Sequence, residues 1–234
     1  MLSVVKSEDR GKTNWGWLES YHSFSFGEYY DPENINFGPI RVINDDKIQG
    51  GSGFPRHPHN NMEIVTVVLK GAVAHQDSTG GKGTIQANEV QRMTAGTGVF
   101  HSEINASEDE LLHLLQIWFI PNQRGLEPSY EQRKFSHEDK KNKLLKIVSG
   151  NKNDDVIFVN QDVKLYISEP EKGIEQSYKI EKGRGVYFYL YEGSVNVNGE
   201  LLSTGDALKV TDEDMLTIKA KENSGFIVFD VIPD

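Results

Sequence analysis

The sequence predicts an all-β protein built from two antiparallel β-barrels or sandwiches, and three observations support this fold class. Short runs of β-branched and aromatic residues recur along the chain, separated by turn-forming glycine, asparagine and aspartate. Strands this short and regular are typical of a sandwich or barrel. A charged, weakly patterned stretch interrupts the rhythm near the middle, and 234 residues suffice for two domains with a core each.

The predicted strands of the first half follow one another closely. Alternation begins at Tyr21, and His22, Phe24 and Phe26 share one face, where we expect them to build core. The second strand should stop at the turn-forming run from Asn44 to Asp46. The strands of this half are predicted at residues 21–26, 40–43, 62–69, 72–77 and 111–120. The last is apolar enough to be buried on both faces, so His113 within it should be a hydrogen-bonded core histidine.

The stretch from Pro121 to about Val148 predicts a crossover between two halves, with a helical turn near residues 130–133. We therefore expect a first domain over residues 1–130, and a linker and second domain over residues 131–234. Further strands are predicted at residues 156–159, 164–168, 186–191, 194–197, 216–218 and 226–231.

Composition narrows the functional class. The formal net charge is −10, which disfavours direct binding to nucleic acid or to an anionic membrane. No cysteine is present, so disulfides and thiolate ligands are excluded. The polar start of the chain has no apolar core of a signal peptide, and the run from Leu111 to Ile120 is too short to span a bilayer. A cytoplasmic protein is the expectation.

Two short pairs of candidate metal ligands stand out, His57-Pro58-His59 and His101-Ser102-Glu103. Residues at i and i+2 of a strand point to the same face, so each pair presents two donors side by side. Three imidazoles and one carboxylate suit a divalent ion such as Fe(II), Ni, Cu, Zn or Mn, and leave coordination positions open. A lone histidine on a strand is more often a surface or hydrogen-bonded residue, but the repeated spacing favours one metal site.

These residues also carry a family resemblance. The run from His57 to Glu63, followed by Gly71, resembles the first cupin motif, whereas Asn88 and Thr94 depart from the second. The segments that resemble the pirin family, within the cupin superfamily, are Phe54 to His59, His75-Gln76-Asp77-Ser78, and Met93 to Gly96 with His101-Ser102-Glu103. The resemblance implies a bicupin, two jelly-roll barrels packed together, with metal ligands at His57, His59, His101 and Glu103. No histidine follows His137, so the second barrel should lack a metal.

Two other residues have alternative roles. Glu63 shares the parity of His57 and His59, so on an unbroken strand it would face the metal pocket, either as a ligand or behind the ligands holding a histidine ring. The pirin resemblance favours the position behind the ligands. His75 lies between apolar neighbours, as a buried hydrogen-bonded residue or as a residue at the pocket mouth.

The resemblance implies an oxidoreductase of the quercetin 2,3-dioxygenase type, as in bacterial pirin-like proteins. It would cleave a flavonol or similar small molecule with O2, using one divalent metal per chain, with Fe(II) the first expectation. Glu103 would also be the catalytic base, with Glu63 as the alternative. The competing hypotheses are a metal-binding protein that acts through a protein partner, like the transcriptional cofactor pirins of animals, and a non-oxidative cupin enzyme.

Overall fold

The structure is a computed structural model and describes residues 1–233. The predicted all-β, cupin-type fold is confirmed. The chain divides into two compact units, and neither is a continuous stretch of sequence. The metal-site unit consists of Gly11–Lys134 and Ile157–Gln161. The second unit combines Met1–Arg10 and Phe135–Val156 with the described residues from Asp162 onward. A division at residue 130 would place Met1–Arg10 in the first domain and Ile157–Gln161 in the second, whereas the structure groups each segment with the other unit. The predicted domains 1–130 and 131–234 stay a prediction.

Strands make up nearly all of the regular structure. The strands up to Lys134 are β1 Leu2–Val5, β2 Gly11–Asn14, β3 Leu18–His22, β4 Ile40–Ile48, β5 Gly53–His59, β6 Glu63–Lys70, β7 Ala72–Asp77, β8 Lys82–Gln86, β9 Glu89–Thr94, β10 Val99–Asn105, β11 Leu112–Phe119 and β12 Ser129–Lys134. The later strands are β13 Leu145–Ser149, β14 Ile157–Phe158, β15 Val163–Ser168, β16 Glu175–Lys179, β17 Gly185–Glu192, β18 Ser194–Val197, β19 Glu200–Ser203, β20 Ala207–Val210, β21 Met215–Ala220 and β22 Gly225–Val231. A 3-10 turn, Ser7–Asp9, and one short helix, α1 His137–Lys140, complete the set.

The metal-site unit is a sandwich of two antiparallel sheets. One sheet has seven strands in the order β12-β9-β6-β11-β4-β3-β2, and the other has four in the order β5-β10-β7-β8. Leu18, Ile48 and Leu114 from the larger sheet pack against Val73 and Ile85 from the smaller one, so the inner faces meet in an apolar core. The apolar strand β11 lies between β4 and β6, as its double burial predicts.

Three local predictions are wrong. The strand predicted at residues 21–26 ends at His22 as part of β3, so Phe24 and Phe26 lie outside it. Strand β4 does not stop at Asn44 but runs through Asp46 to Ile48, because these polar side chains find partners in neighbouring strands. Asn44 bonds His22 at 2.8 Å, and Asp45 bonds His113 at 2.7 Å. The residues predicted as a helical turn at 130–133 belong to β12, which pairs with β9. Helix α1 follows β12, and Ser136 caps its first turn.

The second unit has its own apolar core. Its larger sheet contains β1, β20, β17, β22, β15 and β13 in that order, and its smaller sheet runs β16-β21-β18-β19. Phe188, Leu190 and Val228 from the larger sheet pack with Val195 and Ile218 from the smaller one. Strand β1 pairs with β20, with Leu2 opposite Val210.

No helix among the described residues is long and apolar enough to cross a membrane. The cytoplasmic location stays a prediction.

Candidate metal centre

Adjacent strands of the four-stranded sheet carry the two predicted ligand pairs. His57 and His59 lie on β5, and His101 and Glu103 lie on β10. His101 stands directly opposite His57, and the register shifts between His101 and Glu103. The structure brings three of the four predicted ligands together, His57, His59 and His101, whereas Glu103 groups with His101 and His75. The complete set of four ligands stays a prediction.

The three histidines form a compact cluster. One ring nitrogen from each of His57, His59 and His101 lies within 4.8 Å of the others. The ring centroids are 4.4 Å apart for His57 and His101, and 4.9 Å apart for His59 and His101. Such a separation allows the three nitrogens to converge on one ion with small side-chain adjustments.

The surroundings of His59 and His101 favour the uncharged form of their imidazole rings, whose nitrogen lone pairs can bind a metal. Burial lowers the pKa of His59 to about 4, with His57 adding to the shift. Burial lowers the pKa of His101 to about 2, and His57, His59 and His75 contribute. His57 is oriented by a contact of 2.8 Å between Nδ1 and the carbonyl oxygen of Pro55. At neutral pH the rings of His59 and His101 are therefore uncharged, as metal ligands must be.

His101 provides a direct test of whether this site fits a metal. The residue is 1% exposed, and neither Nδ1 nor Nε2 has a hydrogen-bond partner among the described residues. Leaving a buried polar group unpaired costs free energy, so such groups call for an explanation. A metal ion bound to one His101 nitrogen would remove much of that cost. The three histidines therefore fit a metal ion.

Glu103 is buried beside this cluster and is tied to the opposite sheet. Gln116 Nε2 donates to Oε2 at 2.7 Å, and Thr66 Oγ1 donates to Oε1 at 3.2 Å. Burial raises the pKa of Glu103 to about 7, with Asp46 adding to the rise while Thr66 and Gln116 oppose it. The side chain lies close enough to join His75 and His101 in a second group of converging donors.

His75 is a buried, hydrogen-bonded residue, the first of its two predicted alternatives. Its Nε2 lies 3.0 Å from Asp77 Oδ2, and its side chain is fully buried. Burial pushes the pKa of Asp77 upward, but hydrogen bonds from Thr79, His75 and Gly81 outweigh this and hold it below its usual value. The ring centroids of His75 and His101 are 5.3 Å apart, so His75 lies next to the histidine cluster.

Glu63 does not face the histidines. Strand β5 ends at His59, and Asn61 has a positive φ of 46°, so the unbroken strand on which that prediction depended is absent. Glu63 instead accepts hydrogen bonds from Thr94 Oγ1, and from both the backbone and the side chain of Asn160, each at 3.2 Å. Burial raises the pKa of Glu63, while these bonds oppose the rise.

A polar row crosses the inner face of the seven-stranded sheet below Glu103. Its members face one another across adjacent strands, and they are His22, Asn44, Gln116, Thr66 and Gln91. This row could not be recognised in the sequence because its members come from distant segments. The polar Gln116 in the middle of the apolar β11 was the one available signal.

A cavity of about 370 Å³ opens onto the histidine cluster. Pockets of roughly 300 to 1,000 Å³ hold most small-molecule ligands. Its walls include His57, His59 and His101, the aromatic side chains of Phe26 and Trp118, and part of the polar row. The Trp118 ring meets His59 edge-on at 4.8 Å. The cavity thus joins a metal-binding cluster to a space the size of a small aromatic molecule.

Comparison with known proteins assigns the family. One family model, described as Pirin, matches residues 4–119, and a second, described as the quercetinase C-terminal cupin domain, matches residues 146–231. Quercetin 2,3-dioxygenase of Escherichia coli K12 is 44% identical over 233 residues, covering 100% of both chains. The chain belongs to the pirin family.

Other pirins extend the comparison. Bacterial pirin YhhW from Escherichia coli, solved in complex with nickel(II), has a TM-score of 0.94 at 42% identity, covering 100% of each chain. The pirin-like protein of Caulobacter vibrioides is 39% identical over 231 residues, covering 98% of this chain and 99% of that protein. The nickel of YhhW and the His/Glu donors of this pirin together support a site for a single divalent metal.

Proposed function

We propose that this pirin is a metal-dependent dioxygenase of the quercetin 2,3-dioxygenase type, acting on a flavonol or a similar small aromatic molecule with O2. The observation that carries the proposal is the cavity whose wall contains three converging histidines, one of them with both nitrogens buried and unpaired. The names of the curated relatives support the reaction class.

The proposed ligands are His57, His59, His101 and Glu103. A divalent ion held there would act as a Lewis acid on the hydroxyl oxygen of a bound substrate and favour its ionised form. Fe(II) is the ion expected from the sequence, whereas nickel is the ion in the YhhW complex. Competition between these two metals for the metal-free protein, followed by turnover measurements with each, decides the identity.

The protein side chains would orient the substrate and move its proton. The ring centroids of Phe26 and Trp118 are 5.5 Å apart, and the rings meet edge to face. Both rings offer flat apolar surfaces to a planar substrate ring. Glu103 is proposed to accept the hydroxyl proton of the substrate, because its carboxylate lies beside His101 and in the wall of the cavity.

The test is flavonol turnover by metal-loaded protein, with oxygen uptake and carbon monoxide release measured together. We expect saturable turnover that a chelator abolishes and that the metal restores. Metal-loaded protein that binds flavonols but consumes no oxygen with Fe, Ni, Cu or Mn would instead support a non-oxidative enzyme or a protein that acts through a partner.

A further inference from the structure

The Glu103 carboxylate extends from one sheet of the metal-site unit and is held by the other. Glu103 belongs to β10, whereas both hydrogen-bond donors to its oxygens lie on the seven-stranded sheet, Thr66 on β6 and Gln116 on β11. All three residues are buried, with exposures of 2%, 0% and 7% in that order. The Thr66 hydroxyl also lies 3.1 Å from Gln116 Oε1, so its single hydrogen can be donated either to Glu103 or to Gln116.

We infer that Gln116, supported by Thr66, is the positioning residue that holds Glu103 at the metal centre. The inference rests on the proposed ligand role of Glu103. Each carboxylate oxygen has two lone pairs, so an oxygen that accepts a hydrogen bond can still donate to a metal ion. Without these donors, the Glu103 side chain would be free to take other rotamers, and the carboxylate would need to be ordered again each time a metal binds.

Two other features of the structure support the pair as a positioning device. Gln116 and Thr66 are direct cross-strand neighbours at the centre of the polar row, so the sheet register fixes their spacing. Along β11 itself, the residues next to Gln116 on the same face are apolar, since Leu114 precedes it and Trp118 follows it. Within the polar row, Gln116 and Thr66 are the members that donate to the oxygens of Glu103.

The experiment compares nickel(II) affinity of metal-free variants at one pH, by competition with a chelator. Gln116→Met keeps the side-chain length and removes the donor, and Thr66→Val removes the hydroxyl. Thr94→Val is the matched control, because Thr94 is equally buried and donates at 3.2 Å to Glu63 instead. Glu103→Ala provides the reference for loss of the carboxylate, and thermal melting of each metal-free variant checks that it folds.

We expect Gln116→Met to lose roughly 10 to 100-fold in nickel affinity, as is usual when the partner of a ligand is removed. Thr66→Val should lose less, and Thr94→Val should bind like the wild type. The visible absorption spectrum of the cobalt(II)-substituted Gln116→Met protein should shift towards that of Glu103→Ala. Wild-type affinity and spectrum in folded Gln116→Met and Thr66→Val, beside a weakened Glu103→Ala, would overturn the inference alone. Wild-type affinity in Glu103→Ala would overturn the ligand role itself, and the inference with it.

Discussion

At the scale of single residues, the two carboxylates near the site have different surroundings. The carboxylate of Glu103 lies beside His75 and His101, whereas the carboxylate oxygens of Glu63 accept hydrogen bonds from Thr94 and Asn160. Glu103→Ala should therefore lose most of its bound metal, while Glu63→Ala should keep a metal content close to that of the wild type. Elemental analysis after loading with nickel checks this. An empty Glu63→Ala site beside a full Glu103→Ala site would reverse the assignment.

The role of Glu103 as a base gives a second prediction for this residue. Glu103→Gln keeps a neutral oxygen near the metal but removes the proton acceptor, so flavonol turnover should fall about 10² to 10⁴-fold. The comparison requires equal metal occupancy in both proteins. Near-normal turnover would assign the proton transfer to another group, and Asp46, a buried carboxylate in the same cavity wall, is the first to test.

The site residues differ in how far the sequence could predict them. The two predicted ligand pairs, His57 with His59 and His101 with Glu103, are recognised by their i, i+2 spacing. This spacing is a local property of a strand and can be recognised in the sequence. Gln116 and Thr66 lie 13 and 37 positions from Glu103, and only the strand order brings them to it. Such contacts are set by sheet register, which one sequence does not specify locally.

At the scale of strands, period-two alternation predicted strands such as β6, β15 and β17, because one face of each is buried, but it gave no prediction for others, among them β1, β9 and β20. It failed where polar side chains are satisfied by tertiary partners. Glu131 in β12 is one case, because Arg92 Nη2 bonds it at 3.0 Å and holds a charged segment in the sheet. The polar run of β4 is the other. Local propensity predicted a turn in both places, and the neighbouring strands overrode it.

A buried polar link between β16 and β22 predicts how stability depends on pH. Tyr178 donates to Asp230, which also accepts a bond from Arg184. Burial, with the Asp230 contact, raises the pKa of Tyr178 above its usual value. The stabilisation is therefore complete below about pH 10, the ordinary tyrosine pKa, and is lost as the pH rises above it.

Urea unfolding at pH 8 and pH 11 tests this link. Tyr178→Phe should lower the free energy of unfolding by roughly 1.5 to 3 kcal/mol at pH 8, the usual contribution of a hydrogen bond to a charged group. The difference from the wild type should shrink at pH 11. Tyr30→Phe, at a residue that is 75% exposed, is the control and should differ little at either pH. An equal deficit for Tyr178→Phe at both pH values would contradict the prediction.

At the scale of the whole molecule, both groups of converging donors lie in the metal-site unit. Both groups include His101, so we expect one divalent ion per chain. Two ions per chain at full occupancy would contradict this. Because the ion binds the folded state, it should add about 2.7 kcal/mol of stability at a free concentration 100 times its dissociation constant. Melting curves with and without a chelator measure the effect, and the histidine-depleted variant His57→Ala/His59→Ala should show a much smaller response.

Pairing of β1 with β20 has a consequence for synthesis on the ribosome. The strand Leu2–Val5 is synthesised before its partner Ala207–Val210, which lies about 200 positions later in the sequence. At roughly 5 to 20 residues per second, the delay is on the order of ten seconds or more. During that interval an unpaired strand with free backbone donors is available to other nascent chains. Until Ala207–Val210 is synthesised, we expect Leu2–Val5 to be open to pairing with other chains, and most of all during expression at high temperature.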